Sequence, residues 1–261
     1  MTRADARRTA IVARARARGS VRVTELAGMF DVSEMTVRRD IELLVADGVL
    51  DRVYGGASIP SGPTRADEPG FETKLQREEQ EKIAIAREAL AMVRPGSAIG
   101  LSAGTTTWHL ASALAERLDC TVITNSVRIA SVLFPAATGG HGHVLLTGGE
   151  RTPSDALVGP IATGALSRLH LDVLFLGVHG MDPDFGFTTP NLLEAETNRA
   201  FIRAARRVAV LADHTKWGTV GMTTIADLGE PEVVITDDGL AEEARHELAE
   251  HVRELRIAPL G

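Results

Sequence analysis

The sequence predicts an α/β protein in two parts, a small helical head followed by a doubly wound, mainly parallel sheet. Residues 74–261 alternate seven short apolar segments with helical stretches. Strands that are apolar throughout are typical of a sheet covered by helices on both faces. Residues 58–73 contain three prolines and two glycines, which predicts a linker between the two parts.

The head, residues 1–57, is expected to contain a first helix over residues 5–18 and then two helices separated by a tight turn. Thr24 is predicted to cap the short second helix and Ser33 the longer third one, because their hydroxyls can accept free backbone N–H groups. Gly48 is predicted to end the third helix, and two short strands around a Gly-Gly turn follow it. This order predicts a winged helix-turn-helix. The apolar positions at helical spacing in the third helix are Val37, Ile41, Leu44 and Val45.

The larger domain, residues 74–261, is expected to open with a helix over residues 74–93. Helical stretches separate most of the strands that follow, which favours parallel pairing. The strand candidates are residues 97–103, 121–124, 143–148, 172–178, 207–212, 232–236 and 255–258.

Charge is divided unevenly between the two parts. The chain has a formal net charge of −7, yet residues 1–56 hold ten arginines against eight acidic residues. A slightly basic head on an acidic body favours a protein that touches nucleic acid with one module only.

Composition also narrows the class of protein. No stretch approaches the roughly 18 apolar residues of a membrane span, and the positive N-terminus lacks the apolar core of a signal peptide, so we expect a cytoplasmic protein. The single cysteine, Cys120, lies in an apolar run and is predicted to be buried. The scattered histidines show no metal-ligand spacing, so no metal and no cofactor are expected.

The third helix carries the candidate DNA contacts, because such a helix enters the major groove by its N-terminal end. Arginine can form bidentate bonds to guanine or phosphate, and hydroxyls suit phosphate oxygens. Two other interpretations stay open: the arginines form a solvated face, or the winged helix binds protein. The predicted DNA-binding residues are Ser33, Thr36, Arg38 and Arg39 on the helix and Arg52 and Tyr54 on the wing.

The stretch VSEMTVRRDIELLVADGVLDRVYGGA resembles the DNA-binding signature of the DeoR family of bacterial regulators. Tyr54 is a departure, since family members commonly have His there. The resemblance continues in order through the chain and implies a sensor domain related to the sugar-phosphate isomerase fold. The motifs that carry it are EKIAIA (81–86), AGTTTWHLA (103–111), TNS (124–126), TGGE (147–150), LVGP (157–160), DVLFLGVHGMD (172–182), GFTTPNLLEAE (186–196) and LADHTKW (211–217).

An anion site is predicted where the first strand of the larger domain meets its helix. Gly104 allows close backbone approach, and Thr105, Thr106 and Thr107 open the helix with hydroxyls and free amides. Ordinary helix capping is the alternative explanation of this threonine run. Further residues at strand ends are expected to converge on the same crevice; they are Thr124, Asn125, Gly148, Gly149, His179, Glu194 and Lys216.

Lys216 is one of only three lysines in a chain with 25 arginines. A compact ammonium beside a phosphate would explain the choice, and an ordinary surface lysine is the alternative. Glu194 faces the pocket or solvent, and His179 is a pocket wall or a structural residue.

The sequence therefore predicts a non-enzymatic regulator that binds a double-stranded DNA operator as a homo-oligomer, a dimer or tetramer. The resemblance implies a repressor of carbohydrate genes that senses a phosphorylated sugar or related metabolite. The rival hypothesis is a sugar-phosphate isomerase with a DNA-binding head, which needs a positioned carboxylate base. Gly177 and His179 stand near the places where related isomerases carry acids, Asp182 lies too far along the loop, and Ser102 replaces an Asp common in the family. We therefore expect binding without turnover.

Overall fold

The computed structural model divides into two compact units, residues 1–64 and residues 65–261. Each unit has its own hydrophobic core, so each is described by itself. The structure describes residues 3–18, 20–46, 49–53, 55–58, 70–139 and 142–260.

In its described residues the first unit has three helices and a small antiparallel sheet of strand order β1-β3-β2. Its core joins residues from every helix, such as Ile11, Leu26 and Val37, to Val21 and Ala57 of the sheet. The elements are α1 (Arg3–Arg18), β1 (Ser20–Arg22), α2 (Val23–Phe30), α3 (Glu34–Ala46), β2 (Asp51–Val53) and β3 (Gly56–Ser58).

The predicted capping residues of this unit have different outcomes. The Ser33 hydroxyl accepts a bond from the Thr36 N–H at 3.2 Å, which confirms Ser33 as a cap. The Thr24 prediction is wrong, because α2 already begins at Val23 and its N-cap position is Arg22, which makes no side-chain cap bond. Strand β1 lies outside the predicted elements; it pairs with β3 and closes a three-stranded sheet. Gly48 lies outside the described residues.

The second unit is built on a seven-stranded sheet, and a strand lies within or across each of the seven predicted segments. The elements in chain order are α4 (Phe71–Gln76), α5 (Glu79–Leu90), β4 (Ala98–Leu101), α6 (Thr105–Ala115), β5 (Thr121–Thr124), α7 (Val127–Gly139), β6 (His143–Leu146), β7 (Glu150–Arg151), β8 (Leu157–Val158), α8 (Pro160–Leu166), β9 (Val173–Gly177), β10 (Gly180–Asp182), β11 (Gly186–Thr189), α9 (Leu192–Ala204), β12 (Val208–Leu211), a 3₁₀ helix (His214–Lys216), β13 (Thr223–Ala226), β14 (Val233–Asp237), α10 (Glu242–His251) and β15 (Leu255–Ala258).

The order of the large sheet is β15-β14-β12-β9-β4-β5-β6, and every neighbouring pair is parallel. The chain runs outward from β4 through β5 to β6 and then returns to β9 on the other side of β4. The order in which strands are added to the sheet therefore reverses between β4 and β9, while all the strands stay parallel. Ligands of open parallel sheets bind at the carboxyl ends of the strands beside such a reversal.

Helices cover both faces of this sheet, which confirms the doubly wound α/β prediction. Val173 and Phe175 of β9 pack with α5, α6 and α7 on one face, whereas Leu174 and Leu176 pack with α8, α9 and α10 on the other. Successive side chains of a strand point to opposite faces, so a strand buried on both sides must be apolar at every position.

Two features of the second unit differ from expectation. The helix predicted over residues 74–93 is two helices, since Arg77 is extended and Glu78 is left-handed at φ 47° between α4 and α5. Short antiparallel sheets, β10-β11-β13 and β7-β8, also lie outside the predicted strands.

Candidate nucleic-acid interface and anion crevice

The exposed start of α3 is the candidate nucleic-acid interface. Arg38 and Arg39 are exposed, while Val37 and Ile41 are buried in the core of the head. Helical geometry explains this division, because residues 37 and 41 fall one turn apart on the same face. The two arginine side chains are thus left on the exposed part of the helix surface.

The structure places Arg38 and Arg52 on one groove of about 630 Å³, including the part open to solvent. Each arginine lies near a carboxylate: Arg38 Nη2 is 3.3 Å from Glu34 Oε2, and Arg52 Nη2 is 3.9 Å from Glu42 Oε1. These pairs are largely exposed and contribute little stability, so the guanidinium groups can exchange to other anions at small cost. The groove is lined by Val23, Arg38, Ile41, Glu42, Arg52, Val53, Gly55 and Gly56.

The two predicted hydroxyl contacts lie together at the start of α3. Ser33 Oγ and Thr36 Oγ1 are 2.9 Å apart at the N-terminus of the helix. Helix N-termini of this kind suit phosphate oxygens. Tyr54, the remaining predicted contact, lies outside the described residues.

Asp40 follows the two arginines and has a structural place in the head. Its carboxylate is only 5% exposed and accepts a hydrogen bond from Arg7 Nε of α1 at 2.5 Å. The ion pair fixes α3 against α1 and thereby fixes the direction in which Arg38 and Arg39 project.

The second unit contains a crevice of about 570 Å³, including the part open to solvent, at the carboxyl ends of β4, β9 and β12. These three strands are neighbours at the reversal of the sheet. The crevice is lined by Lys74, Ala103, Gly104, Thr105, Thr106, Gly177, Val178, His179, Thr189, Glu194, Asn198 and Lys216.

The first turn of α6 forms one wall of the crevice. Thr105 and Thr106 line it, and their backbone amides belong to the first turn, where no intrahelical acceptor exists. Gly104 precedes them close to Gly177, because a Cβ on Gly104 would lie 3.8 Å from the Gly177 Cα. The partial positive charge of the helix end faces the crevice, an arrangement suited to anions.

All three lysines of the chain are concentrated around this crevice. Lys74 and Lys216 line it, and Lys216 Nζ lies 3.9 Å from the buried Asp213 carboxylate. Lys82 is only 2% exposed, and burial lowers the pKa of its ammonium while Asp213 raises it and Lys216 lowers it further. Lys82 and Lys216 are therefore close enough for the charge of one to act on the other.

Glu194 is the carboxylate of the crevice and lies in the first turn of α9. Its Oε1 atom accepts hydrogen bonds from Thr152 Oγ1 at 2.7 Å and from Ser154 Oγ. Asn191 caps the helix by accepting from the Leu193 and Glu194 amides. The side chain is thus held in one orientation at the crevice wall.

Several residues predicted for this site lie outside the lining of the crevice, and two of them support it through hydrogen bonds. Thr107 is buried, and its hydroxyl donates to the carbonyls of Ser102 and Gly104 at 2.7 and 3.0 Å. Asn125 accepts from the Ala103 N–H at 2.8 Å and donates to the Leu157 carbonyl at 3.1 Å. The other three are Thr124, which accepts from the Ser126 amide, and Gly148 and Gly149, which follow the edge strand β6.

The position of Ser102 bears on catalysis. Its buried hydroxyl accepts a bond from the Gly177 N–H at 2.9 Å and so ties the end of β4 to the end of β9. His179 lies in the loop after β9, where its backbone N–H donates to the Thr188 carbonyl at 3.0 Å. The positions at which the acids of an isomerase are expected from the sequence hold a hydroxyl, a glycine and an imidazole, and Glu194 is a carboxylate that lines the crevice.

Sequence reasoning missed Lys74, Asn198 and Thr189, which also line the crevice. The rarity of lysine is the signal that could have found Lys74, and it pointed only to Lys216. Lys74 falls at the edge of the predicted linker, and nothing in the local pattern places it beside a strand that begins some 25 residues later.

Three further observations concern the described residues. They contain no group of three or more His, Cys, Asp or Glu that could hold a metal ion. None of their helices combines the length and apolar character that crossing a membrane requires. Cys120 is 2% exposed, as predicted, and burial raises the pKa of its thiol to about 11.

Family models match both units of the chain. Residues 7–62 match a DeoR-like helix-turn-helix domain, and residues 77–238 match the DeoR C terminal sensor domain. The chain belongs to the DeoR family. Curated DeoR-type relatives match across both units, which makes this chain a DNA-binding transcriptional regulator.

The putative aga operon transcriptional repressor of Escherichia coli O157:H7 is 33% identical, over 92% of this chain and 88% of that protein. The glycerol-3-phosphate regulon repressor of Escherichia coli K12 is 30% identical, over 88% of this chain and 90% of that protein. Among solved structures, ribose 5-phosphate isomerase A from Methanocaldococcus jannaschii matches with a TM-score of 0.40 and 17% identity, over 54% of this chain and 55% of that one.

Proposed function

We propose that this DeoR-family regulator is a cytoplasmic repressor of carbohydrate-metabolism genes whose second unit binds a phosphorylated sugar or related metabolite. The crevice at the sheet reversal carries this proposal, because a helix N-terminus and two lysines face it together. The relatives support the class of ligand and gene, since one represses a glycerol-3-phosphate regulon and another an aga operon. The boundaries we propose are a DNA-binding domain over 1–57, a linker over 58–73 and an effector domain over 74–261.

In this mechanism a phosphate group binds the first turn of α6 between Lys74 and Lys216. Glu194 and Asn198 stand on the crevice wall, where they can bond the hydroxyl groups of a sugar. The ligand favours one of two arrangements of a homo-oligomer and thereby changes the fraction able to hold its operator. A dimer or tetramer is the functional form, because paired recognition helices read repeated half-sites.

Effector binding is tested by thermal shift of the full-length protein with pentose phosphates, hexose phosphates and glycerol 3-phosphate. We expect Lys216→Met to weaken binding of the stabilising compound about 10-fold or more, since a hydrogen bond to a charged group contributes roughly 1.5–3 kcal/mol. Arg168→Met is the matched control, because Arg168 is an exposed cation that does not line the crevice. Equal losses in the two variants, or no stabilising compound in the panel, would contradict the proposal.

DNA binding is tested by titrating a DNA fragment from the upstream region of the gene with the Arg38→Ala variant. Loss of an arginine contact costs about 1–3 kcal/mol, so we expect operator affinity to fall on the order of 10-fold or more. Arg168→Ala is the control and should leave it unchanged. If Arg38→Ala binds as tightly as the unaltered protein, the exposed face of α3 is not the contact surface.

The isomerase alternative is tested separately by incubating the protein with each sugar phosphate and looking for its isomer. We expect no isomer above background, because Ser102, Gly177 and His179 occupy the positions at which the isomerase hypothesis needs acids. Glu194 does line the crevice, but its carboxylate is already bonded to two hydroxyl groups. Turnover that depends on the crevice residues would replace the regulator-only assignment with an enzyme that also binds DNA.

A further inference from the structure

We propose that α4 is a strap whose docking onto α6 depends on an anion in the crevice, and that this docking regulates DNA binding. The inference rests on the proposed function, because it needs the crevice to bind a phosphorylated ligand. The strap is a six-residue helix, Phe71–Gln76, of which the proposed function uses only the Lys74 side chain.

The position of α4 in the chain makes it suitable as a connection. It is the first described element of the second unit, and the chain leads back from it to the helix-turn-helix unit. A change in the place or stability of α4 therefore changes the point at which the DNA-binding unit is covalently attached.

The start of α4 is docked by an aromatic contact and an ion pair. The Phe71 side chain is 5% exposed and lies edge-to-face against Trp108 of α6, with ring centroids 6.3 Å apart. The Arg128 guanidinium lies over the same ring at 5.1 Å and also pairs with Glu72 at 2.9 Å. Trp108 belongs to the helix whose first turn is the proposed phosphate site.

The end of α4 is tied to the crevice itself. The Lys74 side chain lines the crevice, and the Lys74 carbonyl accepts a hydrogen bond from Lys82 Nζ at 2.8 Å. Lys82 Nζ also donates to the Arg77 carbonyl, so one buried ammonium holds the last turn of α4. That ammonium interacts electrostatically with Asp213 and Lys216, which belong to the crevice side of the sheet.

The helix itself is too short to persist without these contacts. A six-residue helix is far below the roughly 12–15 residues at which isolated helices become even marginal, so tertiary contacts must hold it. Arg77 and the left-handed Glu78 separate it from α5, which removes support from a continuous helix. Such a segment opens locally at low cost. An anion that attracts Lys74 stabilises the docked form, and by linkage the docked form binds the anion more tightly.

Hydrogen exchange of the full-length protein in inorganic phosphate, against chloride at equal ionic strength, tests the strap. We expect phosphate to slow amide exchange several-fold both at the start of α6, residues 104–107, and along α4, residues 71–76. Slowing at α6 alone would overturn the strap and leave the phosphate site standing. Slowing at neither segment would overturn the site and, with it, the strap that rests on it.

Phe71→Ala then tests whether docking controls DNA binding. We expect phosphate still to slow exchange at residues 104–107 in this variant, while α4 exchanges rapidly and operator affinity no longer responds to phosphate. Phe134→Ala, at a 60% exposed position on α7, is the matched control and should keep the response. An unreactive Cys120 thiol verifies that the core of the variant is intact. If Phe71→Ala keeps the phosphate response of operator affinity seen in the unaltered protein, the proposal is wrong.

Discussion

At the scale of single residues, the polar side chains at the strand ends divide into two kinds. One kind lines the crevice and includes Thr105, Thr106 and Lys216. The other kind, which includes Thr107 and Asn125, forms hydrogen bonds with the backbone that shapes the crevice. Threonine occurs in both kinds, so only the direction of each side chain separates them. A buried polar side chain that forms hydrogen bonds with the backbone is difficult to replace, because its backbone partners would be left unpaired where water cannot reach them.

The prediction for single residues concerns the stability lost when Asn125 is replaced. Asn125→Ala leaves the Ala103 N–H and the Leu157 carbonyl without their side-chain partner, and each buried unpaired group costs about 1–3 kcal/mol. We expect the free energy of unfolding to fall by roughly 2–5 kcal/mol, measured by urea denaturation. Asn191→Ala, which removes a half-exposed helix cap, should cost only about 1 kcal/mol. A smaller loss for Asn125 than for Asn191 would show that Asn125 does not brace the site.

At the scale of elements, the recognition helix is oriented by a charge pair as well as by apolar packing. Asp40 comes directly after the two exposed arginines, and the family resemblance treats the three as one motif. In the structure the three residues have different roles. Arg38 and Arg39 are exposed, whereas Asp40 is buried and accepts a hydrogen bond from Arg7 of α1. The aspartate therefore belongs to the framework of the motif.

Asp40→Ala is the prediction at the element scale. Removing one partner of a mostly buried pair leaves an unpaired charge and costs on the order of 2–4 kcal/mol, below the full cost at a deeply buried site because Arg7 is partly exposed. We expect the head to melt at lower temperature by circular dichroism and operator binding to weaken in parallel. Glu25→Ala breaks exposed pairs with Arg14 and Arg18 and should change melting much less. Equal effects of the two substitutions would refute a special role for the buried pair.

For the molecule as a whole, the uneven division of charge between the head and the rest of the chain limits how the protein can bind DNA. The chain carries a net charge of −7, so nonspecific attraction to DNA over its whole surface is not available to it. The exposed arginines of the head must supply the contacts with phosphates locally. Binding driven by phosphate contacts becomes more sensitive to salt as their number rises, because each contact releases condensed counterions.

Salt dependence is therefore the prediction at this scale. Operator affinity should fall on the order of 10³-fold between about 50 and 200 mM salt, as for proteins that make several phosphate contacts. Arg39→Gln should reduce the slope of log affinity against log salt by about one for each head bound. Titrations over a salt series give both quantities. An affinity that does not change with salt would exclude the arginine face of α3 as the source of binding.

The elements that depend on local pattern could be predicted from the amino-acid sequence. Apolar runs located all seven strands of the main sheet, helical spacing located the buried face of α3, and Ser33 was identified as its cap. The order of the motifs along the chain was sufficient to indicate the family. These features depend on residues that are close together in the sequence, so short stretches of sequence are sufficient to predict them.

The contacts between residues that are distant in the sequence became known from the folded structure. It brought Lys74 to the crevice, split the predicted helix 74–93 at Glu78, and turned Thr107 and Asn125 toward backbone. The order of the strands, with β9 between β12 and β4, placed three loops around one crevice and left Gly148 and Gly149 beyond the edge strand. Strand order and side-chain direction follow from packing of the whole core, which no local pattern encodes.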